Sequence, residues 1–371
     1  MHYIGLMSGT SINAVDAALV SFSKNSIKIL AAHSIAIPKK LKKEILALCF
    51  PGKNEIERMG ELDYQLGKYF AKAACEVAKK ANLSLKKIKA IGSHGQTIRH
   101  RPNQRYPFTL QIGNPHLIAA KTGITTVANF RAKDIALGGQ GAPLAPVFHD
   151  FLFRSFLNQH KQNCLSVINI GGIANISVLQ KNFSRKLFGF DIGPGNTLLD
   201  AWIYQQTKKL FDRNGQWASG GKVCEPLLKK LCQDSYFKKS FPKSTGREYF
   251  NLIWLKKYLK QFKKIKPQDV QATLTEFTAK MIAEAVMKFQ QNGFVFLCGG
   301  GAYNRDLVKR IQSRLKNHQV ITTDKIGIAP KWIEAAMFAW LAKQTLDKKA
   351  LDLSHITGSK KPAVLGEVCY F

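Results

Sequence analysis

The residues best suited to chemistry lie in the stretch FDIGPGN at 190–196. Asp191 stands at the end of an apolar, strand-like segment, and a Gly-Pro-Gly turn follows it, which is where ligands usually meet an α/β sheet. Asn196 can cap the following helix, whose first amides would favour an anion. Asp191 either takes part in the chemistry or only closes the turn, a role that aspartate often fills. The local pattern leaves these two interpretations equal.

Three glycine-containing turns, each directly after a strand-like segment, are candidates for binding phosphate. Glycine permits positive φ and close approach of the backbone, so amide hydrogens can point at phosphate oxygens. The hydroxyls of Thr10 and Ser11 add donors to the first turn. Any one turn alone is more typical of a simple hairpin, but three of them in two halves of the chain indicate a nucleotide. They are Ser8-Gly9-Thr10-Ser11, Gly171-Gly172 and Gly299-Gly300-Gly301.

None of these turns matches a common nucleotide-binding loop. The chain has no G-x-x-x-x-G-K-[ST] pattern, and no G-x-G-x-x-G opens a helix. We therefore expect neither a P-loop nor a dinucleotide site. Paired β-hairpins from two lobes, closing on a triphosphate from both sides, would provide a different architecture.

Two loops carry dense polar side chains that suit a polyhydroxylated or anionic ligand. They are GSHGQTIRHRP at 92–102 and NFRAKDIALGGQGAPLAPVFH at 129–149. A single histidine in such a loop is more often a hydrogen-bonded structural residue, so we do not assign His94 to catalysis. The clustered side chains are those of His94, Gln96, Arg99, His100, Arg101, Arg131, Lys133, Asp134 and Gln140.

The elements that must position these residues alternate between strand and helix. Periodicity predicts strands at 3–8, 14–22, 27–36, 88–95, 164–180 (split by glycines), 186–191, 293–298 and 319–323, and helices at 39–49, 55–81, 197–210, 225–232, 252–262, 269–291, 302–315 and 332–345. The second half repeats the strand, glycine turn and strand of the opening. This weak repeat favours a duplicated fold, although such runs occur in many α/β proteins.

Length and composition are consistent with two lobes in a reducing compartment. The 371 residues are 45% hydrophobic, which is enough apolar material for two ordinary cores. The seven cysteines are scattered and never spaced as C-x-x-C, so neither a disulfide framework nor a zinc site is indicated. We expect no secretory signal, because no basic leader precedes an apolar stretch. No segment has the roughly 20 apolar residues that a membrane helix needs.

The formal charge of +32 raises the question of nucleic-acid binding, since basic stripes release counterions from phosphate backbones. The basic residues are mostly lysines on helix-like segments such as LKKYLKQFKKIK at 255–266. A solvated lysine face explains them more simply than a nucleic-acid surface. The positive field would also gather small anionic substrates.

Seven motifs, taken in order, resemble those of the anhydro-N-acetylmuramic acid kinases, which belong to the superfamily of actin, sugar kinases and heat-shock ATPases. The resemblance spans the chain from Ile4 to the TGS near residue 358. The motifs are GLMSGTS, GSHGQTIRHRP, LGGQGAPL, NIGGIANIS, FDIGPGNTLLDAW, KSTGREYFN and CGGGAYN.

The resemblance implies an α/β, duplicated, two-lobed actin-like (ribonuclease H-like) ATPase fold that binds ATP and Mg²⁺ in an interlobe cleft. Residues 1–150 would form the lobe with the first phosphate hairpin and the sugar loops. Residues 151–371 would form the lobe with the second hairpin, the catalytic aspartate and the adenosine-side glycines. The family opens the 1,6-anhydro bond of its sugar with water and transfers the γ-phosphoryl group of ATP to O6, in cytoplasmic cell-wall recycling. The resemblance also implies a homodimer, whereas the absence of nucleic-acid and membrane partners is expected from the composition and the charge pattern.

Site residues follow from the resemblance position by position. Asp191 matches the general base that takes a proton from water, and Glu334 matches a glutamate that helps hold that water. Two carboxylates flanking a water on one face of a sugar are consistent with an inverting displacement. Metal ligands are not assigned. The nucleotide contacts would be Gly9, Thr10, Ser11, Asn13, Asp16, Gly171, Gly172, Gly299, Gly300 and Gly301. From the clustered donors of the two polar loops, we expect the sugar contacts to be His94, Gln96, Arg131, Asp134 and Gln140.

Four positions depart from the family pattern. Asn13-Ala14 replaces Asp-Gly beside the phosphates, Asn129 replaces an aspartate before Phe-Arg, and Ile192 replaces the threonine beside the base. Asn tolerates turn geometry and still forms hydrogen bonds, so the fold should survive. These departures support an alternative, a catalytically weakened sensor of sugar or nucleotide with the same fold.

Overall fold

The computed structural model describes residues 1–9, 11–23, 26–160, 162–181, 187–241, 243–262 and 264–371. Within these ranges the chain folds into two α/β units. Met1–Leu152 and Trp332–Phe371 form the first unit, and Phe153–Lys331 forms the second. No helix in the described ranges is long and apolar enough to cross a membrane.

Eight strands belong to the first unit and five to the second, counting described residues only. The first unit contains β1 (His2–Met7), β2 (Ala14–Phe22), β3 (Ile27–Ala36), β4 (Ile88–Ser93), β5 (Gln96–Arg101), β6 (Phe108–Ile112), β7 (Thr126–Ala128) and β13 (Glu367–Cys369). The second contains β8 (Cys164–Ile170), β9 (Ile173–Gln180), β10 (Leu187–Pro194), β11 (Gly293–Cys298) and β12 (His318–Thr322).

Twelve α-helices accompany these strands in the same ranges. They are α1 (Lys39–Leu48), α2 (Glu55–Lys80), α3 (Pro115–Thr122), α4 (Ala132–Ala136), α5 (Ala145–Gln159), α6 (Asn196–Thr207), α7 (Gln216–Ser219), α8 (Glu225–Cys232), α9 (Leu252–Leu259), α10 (Pro267–Met287), α11 (Arg305–Arg314) and α12 (Ile333–Leu346).

The main sheet of the first unit has the strand order β13-β7-β4-β1-β2-β3. β1, β2 and β3 are antiparallel neighbours, whereas β4 lies parallel to β1 and β7 parallel to β4. On one face α2 buries Leu62, Leu66 and Phe70, whose spacing of four residues places them on one side of the helix. These side chains pack with apolar residues of β1 and β2 in a single core.

On the other face of this sheet, α12 lies directly against the backbones of β1 and β4. Gly5 and Gly92 are cross-strand partners. A Cβ at Gly5 would lie 1.7 Å from the carbonyl oxygen of Ala335, and one at Gly92 would lie 1.9 Å from that of Phe338. Only glycine permits a helix to approach this closely. The pair explains why α12 belongs to the first unit.

The second unit repeats the topology of the first. Its sheet has the order β10-β9-β8-β11-β12, with β8, β9 and β10 antiparallel and β11 and β12 parallel to β8. Numbered within each sheet, both sheets share the strand order 3-2-1-4-5, and the first adds β13 at its edge, while β5 and β6 form a separate two-stranded sheet. The duplicated α/β fold is therefore confirmed. Its core joins Ile168 and Ile176 of the sheet to Trp202 of α6 and Phe277 of α10.

The structure differs from the sequence-based expectations in several places. The segment 332–371 belongs to the first unit, although it was predicted to lie with the second lobe, because α12 packs on β1 and β4 and because β13 pairs with β7. Asp191 does not end its strand: β10 continues to Pro194 through a β-bulge between Asp191 and Gly193. The predicted start of this strand at Lys186 lies outside the described residues.

Candidate functional site

In the first unit, the first glycine turn and the first polar loop lie side by side. Because β1 and β4 are parallel neighbours, their carboxyl ends meet at one edge of the sheet. The backbone amide of His94 donates to the carbonyl of Leu6 (3.0 Å), and the Ser8 hydroxyl donates to Oε1 of Gln96 (2.7 Å). Gln96 is thereby fixed against the turn. Thr10, a predicted nucleotide contact, lies outside the described residues.

His94 and Arg131 join the two polar loops. Nε of Arg131 donates to Nε2 of His94 (3.0 Å), and its Nη1 donates to the carbonyl of Gly141 (2.7 Å). Burial, and then the charge of Arg131, hold the pKa of His94 well below its usual range. The imidazole is therefore neutral, accepts from Arg131 and donates through Nδ1 to the carbonyl of Gly95 (2.9 Å). This arrangement suits orientation of the guanidinium more than proton transfer.

Asp134 organises the second polar loop from inside. Its Oδ2 accepts from the amide of Gly141 (2.6 Å), and its Oδ1 accepts from the hydroxyl of Thr357 (2.7 Å). The backbone amide of Gln140 donates to the backbone carbonyl of Thr357 (2.9 Å). Burial raises the pKa of Asp134 even though these hydrogen bonds act in the opposite direction. Asp134 and Gln140 therefore fix a loop that runs beside Arg131.

The residues after the first turn form hydrogen bonds with other residues of the first unit. Ile12 has φ of +51°, which is uncommon and strained for a β-branched residue, and its amide donates to the carbonyl of Gly9 (3.0 Å). Oδ1 of Asn13 accepts from Nζ of Lys42 at 2.5 Å. The carboxylate of Asp16 accepts from the hydroxyl of Ser34. Ser11, between these residues, is half-buried.

Asn129, one of the departures from the family pattern, takes a turn conformation that suits its residue type. It has φ of +53°, and its Nδ2 donates to Oε1 of Glu367 (2.7 Å). Glu367 begins β13, the strand that pairs with β7. Asn129 therefore retains both the turn geometry and a hydrogen bond, as its residue type predicts.

In the second unit, the Gly171-Gly172 turn contacts the start of α6. The amides of Gly195 and Thr197 donate to the carbonyl of Gly172 (2.9 and 3.0 Å), and that of Asn196 donates to the carbonyl of Gly171 (2.8 Å). Two predictions are wrong here. Gly195, not Asn196, is the N-cap and makes no side-chain cap, and these three amides are used by the turn and not offered to an anion.

The third glycine turn packs on the same turn and helix. Gly299 has φ of +79°, and a Cβ there would lie 2.4 Å from Oδ1 of Asn169. A Cβ at Gly301 would lie 2.2 Å from Cγ2 of Ile170. The side chain of Asn196 lies 3.8 Å from the Cβ position of Gly300 and donates to the carbonyl of Ile170 (3.1 Å). The third turn thus packs closely on β8 and the start of α6, and a side chain at Gly299 or Gly301 would collide with Asn169 or Ile170.

Asp191 lies on the edge strand of the second sheet and is 8% exposed. Its amide donates to the carbonyl of Lys243 (3.1 Å), its carbonyl accepts from the Tyr236 hydroxyl (2.7 Å), and its Oδ2 accepts from the amide of Thr245 (3.0 Å). Burial, Lys288 and Lys239 lower the pKa of Lys243 to about 8, while Asp191 acts to raise it.

A row of polar side chains crosses the sheet at Asp191. Asp191 pairs with Asn175 of β9, and Asn175 pairs with Asn169 of β8, so the three share one face. Oδ1 of Asn175 and Oγ1 of Thr197 are buried without a hydrogen-bond partner among the described residues. Sequence reasoning missed Asn169 and Asn175. Their symmetric placement around the glycine turn was the available signal, since 169 and 175 must pair when 170 pairs with 174.

Glu334 lies in the first turn of α12 and is half-buried. It directly precedes Ala335, the residue whose carbonyl approaches Gly5. The position of its carboxylate thus depends on how closely α12 lies on the sheet. No group of three or more His, Cys, Asp or Glu side chains that could hold a metal ion occurs in the described ranges.

The second unit also contains a cavity of about 690 Å³ that is separate from the predicted site residues. Its lining includes Lys222, Cys224, Lys260 and Phe262. No predicted site residue lines it. Within each unit, the glycine turns, the polar loops and the row at Asp191 therefore remain the candidate positions, and this cavity is not one of them.

Comparison with known proteins decides the family. The family model described as anhydro-N-acetylmuramic acid kinase matches residues 1–371. The chain belongs to the anhydro-N-acetylmuramic acid kinase family. The predicted family and its enzyme class, a kinase with a small-molecule substrate, are confirmed.

Two curated relatives carry the same description. An anhydro-N-acetylmuramic acid kinase from Coxiella burnetii (strain Dugway 5J108-111) is 53% identical over 367 residues, covering 99% of this chain and 96% of that protein. One from Shewanella sp. (strain ANA-3) is 47% identical over 365 residues, covering 98% of this chain and 97% of that protein. The family membership therefore extends over the whole length.

Solved structures give weaker likenesses. The activator of 2-hydroxyisocaproyl-CoA dehydratase from Clostridium difficile has a TM-score of 0.46 at 14% identity, covering 95% of this chain and 99% of that chain. A ROK hexokinase from Thermus thermophilus has a TM-score of 0.38 at 13% identity, covering 93% of this chain and 100% of that chain. No property of the site is transferred from them.

Proposed function

We propose that this kinase uses ATP and water to convert 1,6-anhydro-N-acetylmuramic acid into N-acetylmuramic acid 6-phosphate, in the recycling of bacterial cell wall. Family membership over the whole chain supports the substrate. The observation that carries the reaction is the placement of Asp191 in the motif FDIGPGN, where its backbone amide, its backbone carbonyl and its buried carboxylate each form a hydrogen bond.

In the proposed reaction, Asp191 takes a proton from a water as the water oxygen attacks C1 of the sugar. The C1–O6 bond breaks, and its electron pair stays on O6. O6 then forms a bond to the γ-phosphorus of ATP, and ADP leaves. Glu334 is proposed to help hold the water. Because little covalent work falls to the protein, positioning and charge stabilisation supply the catalysis.

The glycine turns are proposed to bind the nucleotide. Gly171, Gly172 and Gly299–Gly301 carry no side chains of their own, which suits the approach of phosphate oxygens to the backbone. Gly9, Thr10, Ser11, Asn13 and Asp16 of the first turn remain proposed contacts. Mg²⁺, when bound, would neutralise charge on the phosphates. Magnesium is commonly held by one or two carboxylates together with the substrate phosphates.

The polar loops of the first unit are proposed to bind the sugar. Arg131 and Gln96, each oriented by a buried partner, would donate to its oxygens. His94, Asp134 and Gln140 were also predicted as contacts. For Asp134 the hydrogen bonds to Gly141 and Thr357 support a role in holding the loop.

The test is an assay of 6-phosphate formation from ATP, Mg²⁺ and 1,6-anhydro-N-acetylmuramic acid. Asp191→Asn should lower kcat by several orders of magnitude while ATP binding persists, as expected for loss of a base. Asp212→Asn is the matched control, because Asp212 is equally buried (8%) in the same unit and accepts from two backbone amides. Absence of turnover in a folded, ATP-binding sample would reject the proposal.

A second candidate is a weakened sensor with the same fold. The contact between Asn13 and Lys42 favours this hypothesis. The resemblance implies a carboxylate at position 13, whereas this chain has an amide there whose oxygen accepts from the Lys42 ammonium. Ala14, Asn129 and Ile192 are the other departures. Under this hypothesis the double substitution Asn13→Asp and Ala14→Gly creates activity. Efficient turnover by the unmodified protein would exclude the sensor.

We also propose that the protein forms a homodimer, lies in the cytoplasm and does not bind nucleic acid. Light scattering of the purified protein tests the first. Gel shifts at physiological salt test the third, since weak retention that salt abolishes is expected from an incidental lysine surface.

A further inference from the structure

The motif KSTGREYFN at 243–251 has no role in the proposed reaction. In the structure its first residues reach Asp191, and Tyr236 joins them from the preceding turn. We call Tyr236, Lys243 and Thr245 the Asp191 clamp. Its members lie between 45 and 54 positions from Asp191 in the chain.

The clamp supplies partners that the sheet does not. β10 is the edge strand, so the outer side of Asp191 has no neighbouring strand. The carbonyl of Lys243 and the hydroxyl of Tyr236 take the place of that strand for the amide and carbonyl of Asp191, and the amide of Thr245 binds its carboxylate. Buried backbone groups of an edge strand need such partners. The contacts therefore fix both the backbone and the side chain of one residue.

Tyr236 is itself firmly held. It is 2% exposed, and its ring meets that of Phe250 edge to face at a centroid distance of 5.4 Å. Its amide donates to Oδ1 of Asp234 (2.9 Å), which also accepts from the hydroxyl of Tyr249 (2.7 Å), while Oδ2 of Asp234 accepts from Tyr258 (2.9 Å). Burial, and then the charge of Asp191, raise the pKa of Tyr236, so its hydroxyl remains a donor.

Lys243 closes the clamp over Tyr236. Its Nζ lies 4.7 Å from the ring centroid of Tyr236 and 5.7 Å from that of Phe190, which precedes Asp191. The same ammonium donates to the carbonyl of Tyr236 (3.4 Å). A cation over two aromatic faces is attracted to both rings. Lys243 therefore connects the turn that contains Tyr236 to β10, the strand that contains Asp191.

We propose that Tyr236 is a positioning residue for the reaction, whose hydroxyl sets the backbone of Asp191 at the β-bulge and so the direction of its carboxylate. A bulge re-aims the side chain beside it, and the hydrogen bond from Tyr236 holds that local geometry. This inference rests on the proposed function, in which Asp191 is the base. In this proposal the clamp places the Asp191 carboxylate relative to the attacking water, and small displacements there lower the rate strongly.

Tyr236→Phe removes the hydroxyl and keeps the ring. We expect kcat to fall about 10- to 30-fold, with KM for sugar and for ATP changed less than about 2-fold, since misplacing a base affects the chemical step more than binding. Tyr258→Phe is the matched control, because it also deletes a hydroxyl that donates within this aromatic cluster but does not contact Asp191, and Oδ2 of Asp234 keeps its hydrogen bond from Nε1 of Trp254 (2.9 Å). It should keep kcat within about 2-fold, although both variants lose some stability.

A double-mutant cycle tests whether Tyr236 acts through Asp191. In an Asp191→Asn background, Tyr236→Phe should change the residual kcat less than about 2-fold, because the residue it positions is already disabled. A further tenfold loss there, an unimpaired Tyr236→Phe, or an equal loss in Tyr258→Phe would overturn the inference alone. A folded wild-type protein without turnover, or a fully active Asp191→Asn, would overturn the proposed function and the inference with it.

Discussion

Gly5→Ala adds one methyl group where α12 touches the first sheet, and we expect it to be severe. The new Cβ would lie 1.7 Å from the carbonyl oxygen of Ala335 and 2.7 Å from the amide nitrogen of Ala339. Ordinary van der Waals contacts of a Cβ begin at 3.4 Å. Because the new Cβ would lie only 1.7 Å from the carbonyl oxygen, α12 and β1 must move apart by roughly a further 1.7 Å. Both obstacles are backbone atoms, and no rotamer change relieves them.

The expected cost lies at the upper end of overpacking penalties, about 3 kcal/mol in the free energy of unfolding. For a unit of this size that corresponds to a fall of roughly 5–10 °C in Tm. Glu334 precedes Ala335 and moves with it. If Glu334 holds the attacking water, kcat should fall at least about 10-fold as well.

Urea denaturation and hydrogen exchange of the β1 and α12 amides measure the loss, and the exchange data report on the first unit alone. Gly60→Ala is the matched control, because Gly60 is exposed on α2 and a Cβ there meets nothing within 4 Å. The same substitution should there stabilise the protein by about 0.5–1 kcal/mol through helix propensity. A Gly5→Ala protein within about 0.5 kcal/mol of the wild type would refute the close approach of α12.

Two further predictions concern the polar loops and the buried histidines. Asp134→Ala leaves the buried amide of Gly141 without its acceptor, so stability should fall by about 1–3 kcal/mol and KM for the sugar should rise about 10-fold with KM for ATP unchanged; an unchanged sugar KM would contradict the loop's role. Burial lowers the pKa of His100 to about 4 and of His149 to about 3. The unfolded chain binds these protons near pH 6.5, whereas the folded chain binds them only near pH 4 and pH 3. The stability that the two neutral histidines contribute above pH 6.5 is therefore lost as the pH falls from 6.5 to about 3. Their imidazole NMR signals should stay constant between pH 7 and 5, and a midpoint near 6 would contradict the burial.

The sequence predicted local features well where pattern and packing coincide. The two opening hairpins were visible as strand, glycine turn and strand, and both units begin this way. The position of α12 was not predictable in the same way. Its apolar pattern identifies a helix, but the choice of sheet depends on Gly5 and Gly92, which look like ordinary strand glycines until a helix backbone is brought against them.

The environment of Asp191 shows a second limit. The motif FDIGPGN indicated the residue, but the strand was expected to end there, because a Gly-Pro-Gly sequence usually begins a turn. Instead the bulge allows β10 to continue, and Tyr236 and Thr245 supply the missing hydrogen bonds. Such partners lie too far along the chain for periodicity to reveal them. The amides at the start of α6 were misread for the same reason, since their acceptors belong to the distant 171–172 turn.

The two units share one topology but present different chemistry at corresponding places. In each, the turn after the first strand lies beside the loop that follows the parallel neighbour of that strand, because parallel strands end at one edge. In the first unit this junction carries side chains, with Ser8 bound to Gln96 and Arg131 oriented by His94. In the second it is built from glycine turns, because a Cβ at Gly299 or Gly301 would collide with Asn169 or Ile170. The same topology therefore places hydrogen-bonding side chains at one junction and glycine turns at the other, so duplication followed by divergence accounts for the difference between the two units.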